Sequence, residues 1–151
     1  MKKLAWSDQY NLGIKAIDEQ HYTIMDYVER FLDAHAKSRS RKEISKLIKK
    51  VVDYTHAHFI FEEDLLEKVG YPFLKPHKKS HALIIAHMSD FQARFDNGDD
   101  ISSELQGLMG KWLFDHLKHD DADYVGAVNE YLRLNPDFLT KKPGILARLF
   151  K

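Results

Sequence analysis

The chain has 151 residues and a mass of 17.7 kDa, enough for one domain with a sizeable core. Lysine plus arginine and aspartate plus glutamate each number 23, so the net charge is zero and composition gives no sign of a nucleic-acid partner. There is no cysteine, which excludes a disulfide scaffold, a thiolate zinc site, an iron–sulfur cluster and a cysteine nucleophile, and makes a cytoplasmic, reducing compartment the expected location. The longest apolar run, Ala82 to Ala86, is far too short to span a membrane, and the N-terminus lacks the hydrophobic segment of an export signal. The unusual feature of the composition is its nine histidines, whose positions point to the chemistry.

Glycine and proline are few and fall between segments, which favours long helices. Apolar residues recur at helical spacing in four stretches. The first runs from about Ile17 to Ala36, with a seam through Ile17, His21, Ile24, Val28 and Leu32. After Ser38-Arg39-Ser40 the second runs from about Arg41 to Val69, through Ile44, Ile48, Val51, Thr55, His58, Glu62 and Leu65. Gly70-Tyr71-Pro72 ends it and turns the chain. The third runs from about Phe73 to Phe95, through Leu74, His77, His81, Ile84, Met88, Phe91 and Phe95. Asp96 to Asp100 is a polar turn, with Asp100 a candidate cap for the fourth helix, which carries Leu105, Leu108, Trp112 and His116. Val125 to Leu134 continues that helix or forms a short fifth one. Amphipathic helices with short connections predict an all-α, up-down-up-down four-helix bundle over residues 1–134, preceded by an N-terminal arm. Residues 135–151 read as a less regular C-terminal tail.

These seams hold residues that do not belong in a core. Burying one unpaired polar group costs about 1–3 kcal/mol, and an unpaired carboxylate much more. His21, His58, Glu62, His77, His81 and His116 all face one interior, which a metal cluster would satisfy together. His58 with Glu62 and His77 with His81 are i,i+4 pairs, one turn apart on a helix face. Imidazole with carboxylate suits iron, manganese, zinc or copper. A lone buried histidine is more often a hydrogen-bonded core residue, and i,i+4 pairs arise by chance in a histidine-rich helical chain. The joint placement on inward seams of all four helices is what argues for metal. His35, His56 and His87 lie off these seams and read as surface histidines.

The fourth helix leaves its carboxylate open. Asp120 lies at i+4 from His116, while Asp121 is in phase with the later seam through Tyr124 or Val125, Val128 and Tyr131 or Leu132. Five residues place Asp121 about 140° out of phase with His116 on a regular helix, a slight lean to Asp120; a local helix irregularity would favour Asp121.

With these residues in place, the sequence resembles the hemerythrin domain family in its prokaryotic form, the bacteriohemerythrins. The family pattern is one His on the first helix, His-x-x-x-Glu on the second, His-x-x-x-His on the third and His-x-x-x-x-Asp on the fourth. Here these are His21, His58 with Glu62, His77 with His81, and His116 with Asp121. Trp6, Gly13, Asp18-Glu19-Gln20, Gly70-Tyr71-Pro72, Trp112-Leu113 and Tyr124 fit the flanks, and the match covers residues 4 to 133. The resemblance decides the fourth helix for Asp121. It implies reversible dioxygen binding, for storage, transport or sensing, at two non-haem iron ions bridged by an oxo or hydroxo group. His77, His81 and His116 would fill one iron, and His21 and His58 would hold the other with one position open for dioxygen. Glu62 and Asp121 would bridge them. Ile24, Met25 and Leu113 are the expected apolar wall of the oxygen pocket. Asp18, Gln20 and Glu63 are candidate acceptors for the second imidazole nitrogens.

A binding protein rather than an enzyme is expected. Two carboxylates and five neutral imidazoles leave such a site less oxidising than the carboxylate-rich diiron oxidases. Sensing through a fused output module is disfavoured because no further domain follows; iron handling, nitric oxide chemistry and peroxide turnover stand as the enzymatic alternative. Zinc could occupy the same ligands. The segment Gly144 to Lys151 is short, basic and amphipathic, a candidate for membrane or protein docking and more commonly a frayed or packed extension.

Overall fold

A computed structural model describes residues 6–113 and 115–138, without the side chains of Trp112 and Leu113. A short 3₁₀ turn, Asp8–Tyr10, leads to α1 (Lys15–Ala36), α2 (Arg41–Val69) and α3 (Leu74–Asp96). α4 (Ser102–Gly107) passes through π-helical stretches at Leu108–Leu113 and His116–Asp121 into α5 (Ala122–Leu134). The described residues contain no strand.

The helix boundaries follow from local chemistry. Before α1, the Asp18 carboxylate accepts from the Leu12 and Gly13 N–H groups at 2.7 and 3.1 Å. Ser40 caps α2, its Oγ accepting from the Glu43 N–H, half of the Ser-x-x-Glu pattern that marks helix starts. Gly70 ends α2 at φ 76°, a left-handed conformation that costs glycine little, and the Tyr71 N–H returns to the Leu66 carbonyl. Asp100 Oδ1 accepts from both the N–H and Oγ of Ser102, so the expected cap acts two residues ahead as an Asx turn.

Successive helices run antiparallel. Ser45 near the start of α2 bonds Asp96 at the end of α3, and Arg94 forks onto Glu104 of α4 at 2.7 and 2.8 Å. α2 packs between α1 and α3, while α4 lies on α1 and α5 on α2. The result is the four-helix bundle expected from the seams. Trp6 of the N-terminal arm packs against Tyr10 and edge-on against Tyr22 of α1.

Two apolar clusters fill the bundle. The larger joins Ile24 to Phe31, Ile44 to Tyr54, Ile84 to Phe95 and Leu105 to Leu117. The smaller joins Ile14, Ile17, Leu65, Leu66, Tyr124, Val128 and Phe138. Between them, on α1, α2, α3 and the His116–Asp121 stretch, comes the layer of histidine and carboxylate side chains. Phe138 folds back onto this smaller cluster after α5 ends. The amphipathic segment Gly144 to Lys151 lies outside the described residues.

Candidate metal centre

All seven residues anticipated as ligands are buried, and the structure brings them together. Relative exposure is 0% for Glu62 and Asp121 and 6% or less for His21, His58, His77, His81 and His116. Ligand atoms of Glu62, His77, His81, His116 and Asp121 all lie within 4.8 Å of one another, and those of His21, His58 and Glu62 form a second such group.

The two carboxylates join the groups. Glu62 Oε1 is 2.6 Å from His77 Nε2 and 3.3 Å from His81 Nε2, while Oε2 is 3.3 Å from His58 Nε2. Asp121 Oδ1 is 2.8 Å from His116 Nε2 and 3.3 Å from His77 Nε2, while Oδ2 is 3.3 Å from His21 Nε2. Each carboxylate therefore turns one oxygen to the three-imidazole set and the other to the His21–His58 pair.

The fourth helix achieves this by changing its winding. His116–Asp121 is π-helical, so its i→i+5 repeat sets residues five apart one above the other. Asp121 is thereby carried inward on the His116 face. Asp120 stays half exposed and takes a different part, with Oδ2 3.0 Å from His116 Nδ1. The 3.6-residue seam, with its lean to Asp120, missed this turn because it assumes regular winding.

Three further side chains meet the outer atoms of the cluster. Gln20 Oε1 lies 2.5 Å from His58 Nδ1, an arrangement in which that nitrogen donates and Nε2 points inward. Glu63 stands 3.7 Å from His81 Nδ1. The Tyr124 hydroxyl donates to Glu62 Oε2 at 3.0 Å. Asp18, the third acceptor considered from sequence, serves the backbone before α1 instead. The sequence marked Tyr124 by the later apolar seam and by its offset from Asp121, neither of which pointed to Glu62. His56 and His87 are exposed, and His35 lies 3.3 Å from Asp100 near the bundle end.

The electrostatics show how strongly the carboxylates hold their charge. Burial works to raise the Glu62 carboxyl, but hydrogen bonds from His58, His77 and His81 drive it well below its ordinary value. Asp121 is likewise lowered: burial and Glu62 oppose, and His116 and His21 prevail. Burial works to lower His77, yet Asp121 and Glu62 push it up to about 10. His116 is raised by Asp121 against burial, whereas burial dominates at His58 and lowers it. Burial also lifts the Tyr124 hydroxyl well above its ordinary value, keeping it a donor.

These contacts still leave atoms over. Both ring nitrogens of His21, both oxygens of Asp121 and Nδ1 of His81 are buried, and the close approaches of His116 and His21 to Asp121 lack the geometry of full hydrogen bonds. Native interiors rarely tolerate such orphans unless an ion or water completes them. The donor set of imidazole nitrogens and carboxylate oxygens fits first-row divalent metals, iron included.

Ile24 and Met25 are fully buried at the start of the larger cluster, one turn along α1 from His21. The Leu113 side chain lies outside the described residues.

Comparison with known proteins identifies the family. Residues 12–128 match the family described as the hemerythrin HHE cation binding domain. A bacteriohemerythrin of Pseudomonas aeruginosa is 44% identical over 128 residues, covering 85% of this chain and 83% of that protein. One from Stenotrophomonas maltophilia is 40% identical over 132 residues, covering 87% and 86%. A crystal structure of a hemerythrin point mutant superposes with a TM-score of 0.78 at 27% identity, covering 85% of this chain and 98% of that one. With the family pattern matched along most of its length and its polar cluster set between the two apolar clusters of a helical bundle, the chain belongs to the hemerythrin family.

Proposed function

We propose that this chain binds dioxygen reversibly at a non-haem diiron centre. In this reading His77, His81 and His116 would hold one iron and His21 and His58 the other, with Glu62 and Asp121 able to serve both. The observation that carries it is the split of each buried carboxylate, one oxygen toward each group of imidazoles. The bacteriohemerythrin and myohemerythrin relatives, named for the oxygen-carrier family, support the same function.

Iron, when bound, supplies the electrons that dioxygen takes up and gives back. The chain's residues set the conditions. With metal bound the five imidazoles would be neutral and the two carboxylates would bring two negative charges, so the set would do little to favour high-valent metal. With three imidazoles in one group and two in the other, the His21–His58 side would be the one to receive a ligand. Ile24, Met25 and Leu113 are proposed to wall that position and keep water out, which slows irreversible oxidation. Gln20 fixes the tautomer of His58, and Asp120 does the same for His116.

Proteins of this family bind oxygen rather than turn over a substrate, and binding without turnover is proposed here. Residues 1–134 are proposed to carry the function, with 135–151 as a tail. No described helix is long and apolar enough to cross a membrane, and the cysteine-free sequence supports a reducing, cytoplasmic setting.

The test is a visible spectrum of the iron-loaded, dithionite-reduced protein before air, in air and after argon. The colourless reduced form is expected to gain a ligand-to-iron charge-transfer band in air and to lose it under argon. Irreversible conversion to a ferric spectrum would overturn reversible binding in favour of redox turnover.

A further inference from the structure

Thr55 is out of place by the ordinary rules of helix interiors. It is completely buried, and its hydroxyl has no hydrogen-bond partner. A helical threonine usually satisfies its hydroxyl on the carbonyl four residues back, as Thr23 does with Glu19 at 2.9 Å. Thr55 does not. Among the described residues it is the one buried hydroxyl left without a partner.

Its position gives the omission a meaning. Thr55 precedes His58 by three residues, so the two are neighbours on one face of α2. Helical side chains lean toward the N-terminus, which tips His58 back over the turn that carries Thr55. The His21 ring meets the His58 ring edge-on at a centroid distance of 4.7 Å. Thr55 thus lies on α2 between Val51 and Tyr54 of the larger apolar cluster, which also holds Ile24 and Met25, and His58 of the polar layer. Valine would fill this place without an unsatisfied polar atom. A hydroxyl is favoured there only when something polar arrives.

We infer that Thr55 is a specificity-determining hydrogen-bond donor in the ligand pocket beside His21 and His58, directed at small ligands whose far end carries an acceptor atom. The inference rests on the function proposed above and adds a polar contact to a pocket otherwise walled by apolar side chains. Its Oγ–H donates, and the outer atom of the bound ligand accepts.

Azide is the probe, titrated into the oxidised, iron-loaded full chain. Thr55→Val is expected to weaken azide about 3- to 10-fold, the loss of one hydrogen bond, and Thr55→Ser to stay within about 2-fold of wild type. Without metal, Thr55→Val is expected to melt at a higher temperature than wild type, since it deletes an orphan hydroxyl. Equal azide affinity in wild type and Thr55→Val overturns this inference and leaves the diiron function standing. Lower melting of the metal-free Thr55→Val chain also overturns it, by showing that the hydroxyl supports the fold. A wild-type chain that loads iron but takes no azide overturns both readings.

Discussion

Gln20 decides which nitrogen His58 turns inward. Its carbonyl oxygen sits 2.5 Å from Nδ1, in a site where both residues are more than nine-tenths buried, so the imidazole cannot rotate without stranding a polar atom. Gln20→Leu is expected to keep the bundle folded and to lower iron retention about 10- to 100-fold, with the loss centred on the His21–His58 position. Iron content after competition with a graded chelator checks this; full retention would place the control of His58 elsewhere. The sequence singled out Gln20, Asp18 and Glu63 together and had no means of separating them. Which acceptor meets which imidazole depends on the axial register between α1 and α2, and a hydrophobic seam specifies a face without specifying a height. The candidate ligands other than Asp121 were legible for the opposite reason. A histidine or carboxylate on an apolar seam violates the burial rule visibly, whatever the register.

At the scale of elements, the helices follow from seams and from local stop signals such as Gly70, and their ends fall within a few residues of those read from periodicity. The exception is the turn that matters most. Periodicity presumes one winding throughout, and His116–Asp121 is wound differently. The five-residue spacing in the family pattern encodes that difference, and the spacing of apolar residues does not. A π-helical stretch of this kind acts as an insertion in a regular helix, usually retained at functional sites. Deleting exposed His119 would return His116 and Asp121 to a four-residue spacing on a regular α-helix. The deletion variant is expected to unfold at higher urea without metal, because regular winding is favoured. It is also expected to lose iron faster, because Asp120 no longer falls beside His116 Nδ1. Urea midpoints and chelator competition measure the two effects separately.

Across the whole molecule, the ligand layer divides the core. Among the described residues, the larger cluster has 18 buried members, drawn from α1, α2, α3, α4 and the π-helical stretches with Ile101 before them, whereas the smaller has seven, drawn from α1, α2, α5 and the segments flanking them. Between them, five imidazoles and two carboxylates replace the continuous apolar packing that would otherwise couple the two ends. Without metal, the layer is held by hydrogen bonds that leave His21 and Asp121 unsatisfied. Metal bound there would tie four helices through one set of bonds and stabilise the folded state in proportion to the logarithm of its concentration over its dissociation constant. The stabilisation is expected to be uneven. The larger cluster has enough buried surface to stay closed by itself, so its amides, at Ile44 to Val51 and Ile84 to Phe91, should exchange at similar rates with and without iron. The smaller cluster depends on the layer for its anchorage, so amides at Leu65, Leu66 and Tyr124 to Val128 should exchange markedly faster once iron is removed. Hydrogen exchange on the loaded and chelated chain separates this from a uniform effect. Equal acceleration at both ends would mean that the bundle opens as one unit and that the ligand layer couples the two clusters instead of dividing them.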